Sequence, residues 1–254
     1  LGSRKYHTLR LPKVALIVGD GITSYEAGSN WYLLDQRYHI PVSKLATDDF
    51  DYVNLDRYNV IIMPNGNYNF SKATTTALQD WVSEGGVLIA QKGANRWCSN
   101  NRLAALNNLR VAGDQRDQRP YQMLSRDRGG RVLGGSIFAA TGDLTHPILY
   151  GFEREDLPIF HRGNSFYEVA DNAYATPLRL TESPLLSGYV HPSSLDAAAG
   201  SAAVIVSGRG GGKTISMMQE PAFRGFWFGT SKLLANAIFF GHTISGGATE
   251  RVGE

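Results

Sequence analysis

The chain has 254 residues, enough to bury one large core or two modest ones, and its 43% hydrophobic and 19% charged residues exclude a disordered or fibrous class. A formal net charge of +2 is too small to predict binding to nucleic acid or acidic lipid, and no apolar stretch approaches the roughly 18 residues of a membrane-spanning helix. The single cysteine, Cys98, excludes an internal disulfide and a cysteine-rich zinc site but leaves the compartment open. The chain begins Leu1-Gly2-Ser3, without an initiator methionine or a basic-then-apolar leader, and reads as an excised piece or a mature product.

In chain order, Lys13–Gly19 reads as a buried strand, followed by a helix over Ser24–Tyr38 in which Ala27, Trp31, Leu34 and Tyr38 recur at helical spacing. Ile40–Val42 is a short extended piece, Leu55–Tyr58 a link, and Asn59–Met63 a second buried strand that stops at Pro64. Ser71 is placed to cap a helix over Lys72–Glu84, with Ala77, Leu78, Trp81 and Val82 facing inward and Gly85-Gly86 ending it. Val87–Ala90 returns to the sheet, and Ala94–Leu109 reads as helical.

Strand and helix alternate through these residues, which predicts an α/β fold: a flavodoxin-like open parallel sheet with helices on both faces. The pattern then breaks. Arg110 to Arg131 holds six arginines against Asp114, Asp117 and Asp127 and reads as a solvated loop of mixed charge, with an anion-binding patch as the other reading. Arg131–Phe138 and Pro158–Phe160 look extended, so residues 111–199 form a β-rich excursion from a core of about 12–110 and 200–241, all within one domain. Ala202–Ser207 and Thr214–Met218 rejoin the core, and Ser231–Phe240 is a strongly apolar final helix.

Each of the three buried strands stops at a small or polar loop: Gly19-Asp20-Gly21, Asn65-Gly66-Asn67 and Gln91-Lys92-Gly93. Open α/β sheets bind ligands beyond the carboxyl ends of their strands, so these nine residues form the candidate ligand pocket. Asp20 and Glu26 are close enough in sequence to serve as paired carboxylates.

Other motifs are incomplete. Ser207 to Thr214 resembles a phosphate-binding P-loop, but Ser207 stands where the first glycine belongs and a β-like run follows where a helix is needed, which favours a hairpin turn. None of the six histidines heads a His-x-x-Glu or Glu-x-x-His pair, and His146-Pro147 and His191-Pro192 sit in turn-like contexts, so no metal or cofactor site is expected in this chain. Arg224 lies among Phe223, Phe226, Trp227 and Phe228. Either this block is an internal bracket that seats the last helix, capped by Thr230 or Ser231, or it is an exposed aromatic surface for a partner. Asn236, alone among apolar neighbours, is expected to bond an adjacent loop.

The runs Pro12–Gly21 and Glu84–Ala90 resemble the class I glutamine amidotransferase-like superfamily. Thr145–Pro147, Ser183–Tyr189 and above all Pro221–Gly241 are similar to the C-terminal region of large bacterial zinc carboxypeptidases of the M14 family. The amidotransferase resemblance implies a nucleophilic cysteine on a strained turn directly after a strand, here Val87–Ala90. The turn offers no Cys or Ser, and Cys98 comes about a helical turn too late, where packing would bury it. The M14 resemblance implies an exported parent, secreted or periplasmic, whose missing N-terminal domain carries zinc and hydrolyses peptide C termini. The zinc ligands of that family match no position here.

Two classes of function follow as expectations. In the first, the chain is a non-catalytic accessory domain that packs against the M14 domain of its own parent enzyme. In the second, it is a stand-alone hydrolase or small-ligand-binding domain that uses the strand-end pocket.

Overall fold

The computed structural model describes residues 7–113 and 119–253. Five strands run parallel in the order β2 (Val42–Ala46), β1 (Val14–Val18), β3 (Val60–Met63), β4 (Val87–Gln91) and β11 (Gly212–Met217). The sheet then turns antiparallel through β10 (Ala202–Arg209), β9 (Leu178–Ser187), β6 (Ser136–Gly142) and β7 (Asp156–His161), while β12 (Glu250–Arg251) pairs with β10. Residues 111–199 therefore extend the same sheet with β6, β7 and β9. A separate two-stranded ribbon joins β5 (Asn108–Leu109) to β8 (Phe166–Tyr167).

The period-two alternation of strands divides most of the core into two large clusters, one on each face of the parallel strands, beside a small third cluster of Tyr167, Ala202, Ile205 and Met218. Val14, Leu16, Val60, Ile62, Val87 and Ile89 point to one cluster, and Ala15, Ile17, Ile61, Met63, Leu88 and Ala90 to the other. The first is covered by Leu33 and Leu34 and by helix α6 (Phe228–Phe240) through Leu233, Leu234, Ala237 and Ile238. The second is covered by α2 (Lys72–Ser83) through Leu78, Trp81 and Val82, and by α3 (Gly93–Asn100) through Ala94 and Cys98. Each fully buried leucine or isoleucine contributes about 1.5–3 kcal/mol, which is why both faces need a helical cover.

Several local expectations hold. Ser71 caps α2, its Oγ accepting from the Thr74 amide at 3.1 Å. Asn236 Nδ2 donates to the Ile148 and Tyr150 carbonyls at 2.8 and 2.9 Å. His146 and His191 are structural caps, their Nδ1 atoms accepting from the Ile148 and Ser193 amides; Pro192 opens α5 (Pro192–Ala198).

Others are corrected. Helix α1 spans Ser24–Trp31 and continues as a π-helical turn over Tyr32–Arg37; Tyr38 is exposed, and the buried face carries Glu26, Ala27, Asn30, Leu33 and Leu34. Ala77 of α2 is exposed and Thr74 takes the inward position. The expected helix over Ala94–Leu109 stops at Asn100; Leu103 and Ala104 are buried without being helical, and Asn108-Leu109 pair as β5. The extended piece placed at Arg131–Phe138 begins at Ser136. In the arginine-rich stretch, Asp114, Arg116 and Asp117 lie outside the described residues; the rest is not all loop, because helix α4 (Leu124–Gly130) forms there and Arg119 Nε lies 3.4 Å from Asp127 Oδ2. Among the described residues no helix is long and apolar enough to cross a membrane.

Candidate functional site

The turn that follows β4 is strained. Gln91 ends the strand, Gly93 opens α3, and Lys92 between them adopts φ 49°, ψ −112°, a conformation that costs a non-glycine residue about 1–3 kcal/mol. Two hydrogen bonds hold the strain: Lys92 N donates to Met217 O at 2.9 Å, and Gly93 N donates to Asn65 Oδ1 at 2.9 Å. A Cβ on Gly93 would stand 2.5 Å from that same Asn65 oxygen, so only glycine lets the two loops approach.

From this elbow the Lys92 ammonium reaches Glu26 Oε1 at 2.6 Å. Glu26 is 2% exposed, on the inward face of α1, and its Oε1 also accepts weakly from Asn65 Nδ2 at 3.4 Å. Behind the pair, Asn30 and Gln91 exchange two amide hydrogen bonds of 2.9 and 3.0 Å, both side chains fully buried. Asn95 of α3 donates to Met217 O at 2.9 Å. The carboxyl of Glu220 is buried nearby: burial first, and then the negative charge of Glu26, push its pKa upward, against Lys92, the Ser29 hydroxyl and Arg162.

A cleft of about 500 Å³ opens above the elbow, lined by Thr23, Tyr25, Glu26, Asn65, Lys92 and Gly93 from the parallel half of the sheet, by Val132–Gly134, Arg162, Gly163, Ser165 and Tyr167, and by Met218. The nine residues expected at the strand ends divide among different tasks. Asn65, Lys92 and Gly93 line the cleft. Gly21, Gly66 and Asn67 knit two loops, with Asn67 N donating to Gly21 O at 2.9 Å and Ile22 bridging Gly66. Gly19 borders a separate apolar groove beside Trp31, Asp20 is exposed, and Gln91 lies sealed below the cleft with Asn30. Glu26 therefore takes Lys92 as its partner. The cleft wall at 132–134 and 162–167 had no signal in the sequence; Glu26 and Asn30 had one, as polar residues four apart on a helix face that also carries Ala27 and Leu34.

Cys98 is fully buried in α3, its Sγ 3.9 Å from Met63 Sδ, and burial pushes its thiol pKa upward. Alkylation of the native chain by iodoacetamide at neutral pH is therefore expected to be negligible until denaturant is added, which mass spectrometry reads directly. Reaction at the rate of a free thiol would place Cys98 at an accessible site.

In the aromatic block, Phe223 is buried and stacks on Phe160 with centroids 3.7 Å apart, and Arg224 lies over the Phe223 ring at 5.4 Å. Phe226 and Phe228 are exposed, and it is Arg37 that covers Phe228, at 4.2 Å. Trp227 is half-buried and precedes α6 without a side-chain cap; Thr230 Oγ1 donates to Pro221 O and Ser231 Oγ to Trp227 O, so neither hydroxyl caps the helix as expected. The block is a bracket on one side and an exposed surface on the other.

No family model matches the sequence, and no curated protein is similar to it in sequence. Solved structures are similar in fold. A ThuA-like protein from Parabacteroides merdae ATCC 43184 superposes with a TM-score of 0.58 at 13% identity, over 91% of this chain and 90% of that one. A protein described as a GMP synthase subunit, from Thermoplasma acidophilum, gives 0.53 at 8% identity, over 92% and 94%. The fold is class I glutamine amidotransferase-like. A second ThuA-like protein, from Bacteroides uniformis ATCC 8492, gives 0.51 at 16% identity over 92% and 94% of the two chains. These identities carry the fold and leave chemistry to the residues of this amidotransferase-like chain. Among those described, no three His, Cys, Asp or Glu residues are grouped to hold a metal ion.

Proposed function

We propose that this chain is a non-catalytic domain that retains an amidotransferase-like scaffold and holds a small carboxylate-bearing ligand in its strand-end cleft. One observation carries the reading: the strained elbow is occupied by Lys92, already neutralised by Glu26, instead of by a thiol or hydroxyl. Acyl transfer on such a scaffold also needs a free backbone amide beside the nucleophile to stabilise the oxyanion, and the Gly93 amide is engaged by Asn65. Lys92 uses one of its three N–H donors on Glu26, and with Arg162 it gives the cleft two cations against the single lining carboxylate.

The M14-like block at Pro221–Gly241 favours a specific setting: an accessory domain of an exported zinc carboxypeptidase, whose products and substrates end in a free carboxylate. The exposed Phe226 and Phe228 on that block would then face the catalytic domain.

The test is a titration of the isotopically labelled chain with a panel of free amino acids and dipeptides, followed by amide chemical shifts. Shifts at Lys92, Gly93 and Arg162 with no consumption of the ligand over a day are expected. Lys92-dependent turnover of any panel member would make the chain an enzyme, and an unperturbed elbow across the panel would remove the carboxylate reading. The parent is tested separately by the intact mass of the native gene product. A product much larger than 27.8 kDa with zinc-dependent carboxypeptidase activity supports the accessory role, and a product of this size overturns it.

A further inference from the structure

A second cleft, of about 580 Å³, lies at the other end of the parallel strands. Its position follows from register: Lys213, which lines it, pairs with Val87 at the start of β4, whereas Lys92 stands past that strand's end. Four cationic side chains line it, Arg102, Arg209, Lys213 and Arg251, and no acidic residue does. None of the four makes an ion pair with a described carboxylate. Elsewhere in the described chain, Lys92 and Arg119 do.

The cluster is built by packing. The turn at Gly210-Gly211 between β10 and β11 seats on the end of α2, with Gly211 N donating to Ser83 O at 2.6 Å and Lys213 N to Gly86 O at 3.1 Å. A Cβ on Gly212 would stand 1.9 Å from Val82 O, so the approach requires glycine there. The seating draws Lys213 inward until it is 6% exposed, with only the Gly211 and Gly212 carbonyls for its ammonium, at 3.5 and 3.3 Å. Arg209 is held beside it, Nε donating to Ser83 Oγ and Nη1 to the carbonyl of Arg102. The glycine-rich stretch is thus a hairpin and no P-loop, yet it assembles a concave cationic pocket.

A buried ammonium without a counterion is unfavourable unless something supplies the charge. We propose that this cleft binds a small polyanion of the phosphate class, inorganic phosphate, pyrophosphate or a compact phosphate ester, with Lys213 and Arg209 at its floor and Arg102 and Arg251 at its rim. Planar guanidinium groups match phosphoryl oxygens bidentately, and four cations accommodate more charge than a lone carboxylate carries. The site is separate from the elbow and does not depend on what the elbow binds.

The test is isothermal titration calorimetry of the full chain with sodium pyrophosphate and, separately, sodium phosphate, at low salt. Binding tighter than about 1 mM is expected, weakened about tenfold or more by Arg102→Gln and by Lys213→Met. Arg162→Gln, at the other cleft, is expected to leave it unchanged. Arg102 is exposed, so its variant remains informative even if Lys213→Met does not fold. Burial lowers the pKa of Lys213, and a bound anion must raise it again, which lysine-selective NMR reads as a second signature. Absence of heat with either anion, equal loss in Arg162→Gln, or unchanged binding in Arg102→Gln would each overturn the proposal. So would a single-stranded oligonucleotide binding more tightly than pyrophosphate, since that would make the surface a backbone-tracking groove.

Discussion

Replacing Lys92 by methionine is expected to lower stability by about 3–5 kcal/mol, the penalty for leaving a buried carboxylate without its counterion. The partners differ in depth. The side chain of Glu26 is 2% exposed and that of Lys92 12%, so Lys92 can turn toward water if its partner is removed, whereas Glu26 has no such exit. Lys92→Met is therefore expected to cost more than Glu26→Met, and the double variant to cost less than Lys92→Met alone because no unpaired charge is left inside. Urea unfolding of the three variants gives the cycle. A Lys92→Met cost below about 1 kcal/mol would show that the pair adds little to the fold and would weaken the reading of the elbow as a closed, neutralised turn.

The second large effect is acid sensitivity. His161 is 2% exposed, sandwiched between Phe138 and Phe166, with Nε2–H donating to Gly163 O; burial lowers its pKa from 6.5 to about 4. Burial lowers that of His146 to about 4 as well, against the opposing pull of Asp143. For both residues the folded state takes up its proton later than the unfolded chain does. Their contribution is therefore complete above pH 6.5, is lost as pH falls from 6.5 toward 4, and is flat below that. A shift of this size corresponds to roughly 3 kcal/mol per histidine. Glu220 works the other way: its raised pKa means that protonation favours the folded state as pH falls toward 4.5, which shallows the lower part of the curve. Thermal unfolding from pH 7.5 to 4 should show the fall, and His161→Phe, which keeps the aromatic stack, should remove about half of it. An unchanged slope in His161→Phe would mean that acid acts elsewhere.

The strand and helix order of the first hundred residues was legible because buried parallel strands are continuous apolar runs and their helices carry a period of 3.6. Val14–Val18, Val60–Met63, Val87–Gln91 and the Ser71-capped helix follow from those rules almost to the residue. The second half was less legible for a physical reason. Leu178–Ser187 is a strand in which Arg179, Glu182, Ser183, Leu186 and Ser187 are exposed and whose register against β6 shifts, so its pattern departs from period two and resembles a polar loop until its neighbours are known. Leu103 and Ala104 misled in the opposite direction, since apolar residues buried in coil extend a helical pattern beyond the helix.

By itself the sequence determined an α/β chain with an open parallel sheet, a strand-end turn that lacks a thiol or hydroxyl, and a core position for Cys98. Those properties depend on residues near one another in the chain. Tertiary structure decided which charges meet. Glu26 and Lys92 are 66 residues apart and pair because α1 and the β4 elbow meet at the carboxyl ends of the parallel strands. Arg102, Arg209, Lys213 and Arg251 converge because β11 inserts between β4 and β10, bringing a hairpin from the end of the chain against a helix from its beginning. Local periodicity fixes which face of an element is buried, but the partner across a sheet is set by the packing of the whole chain.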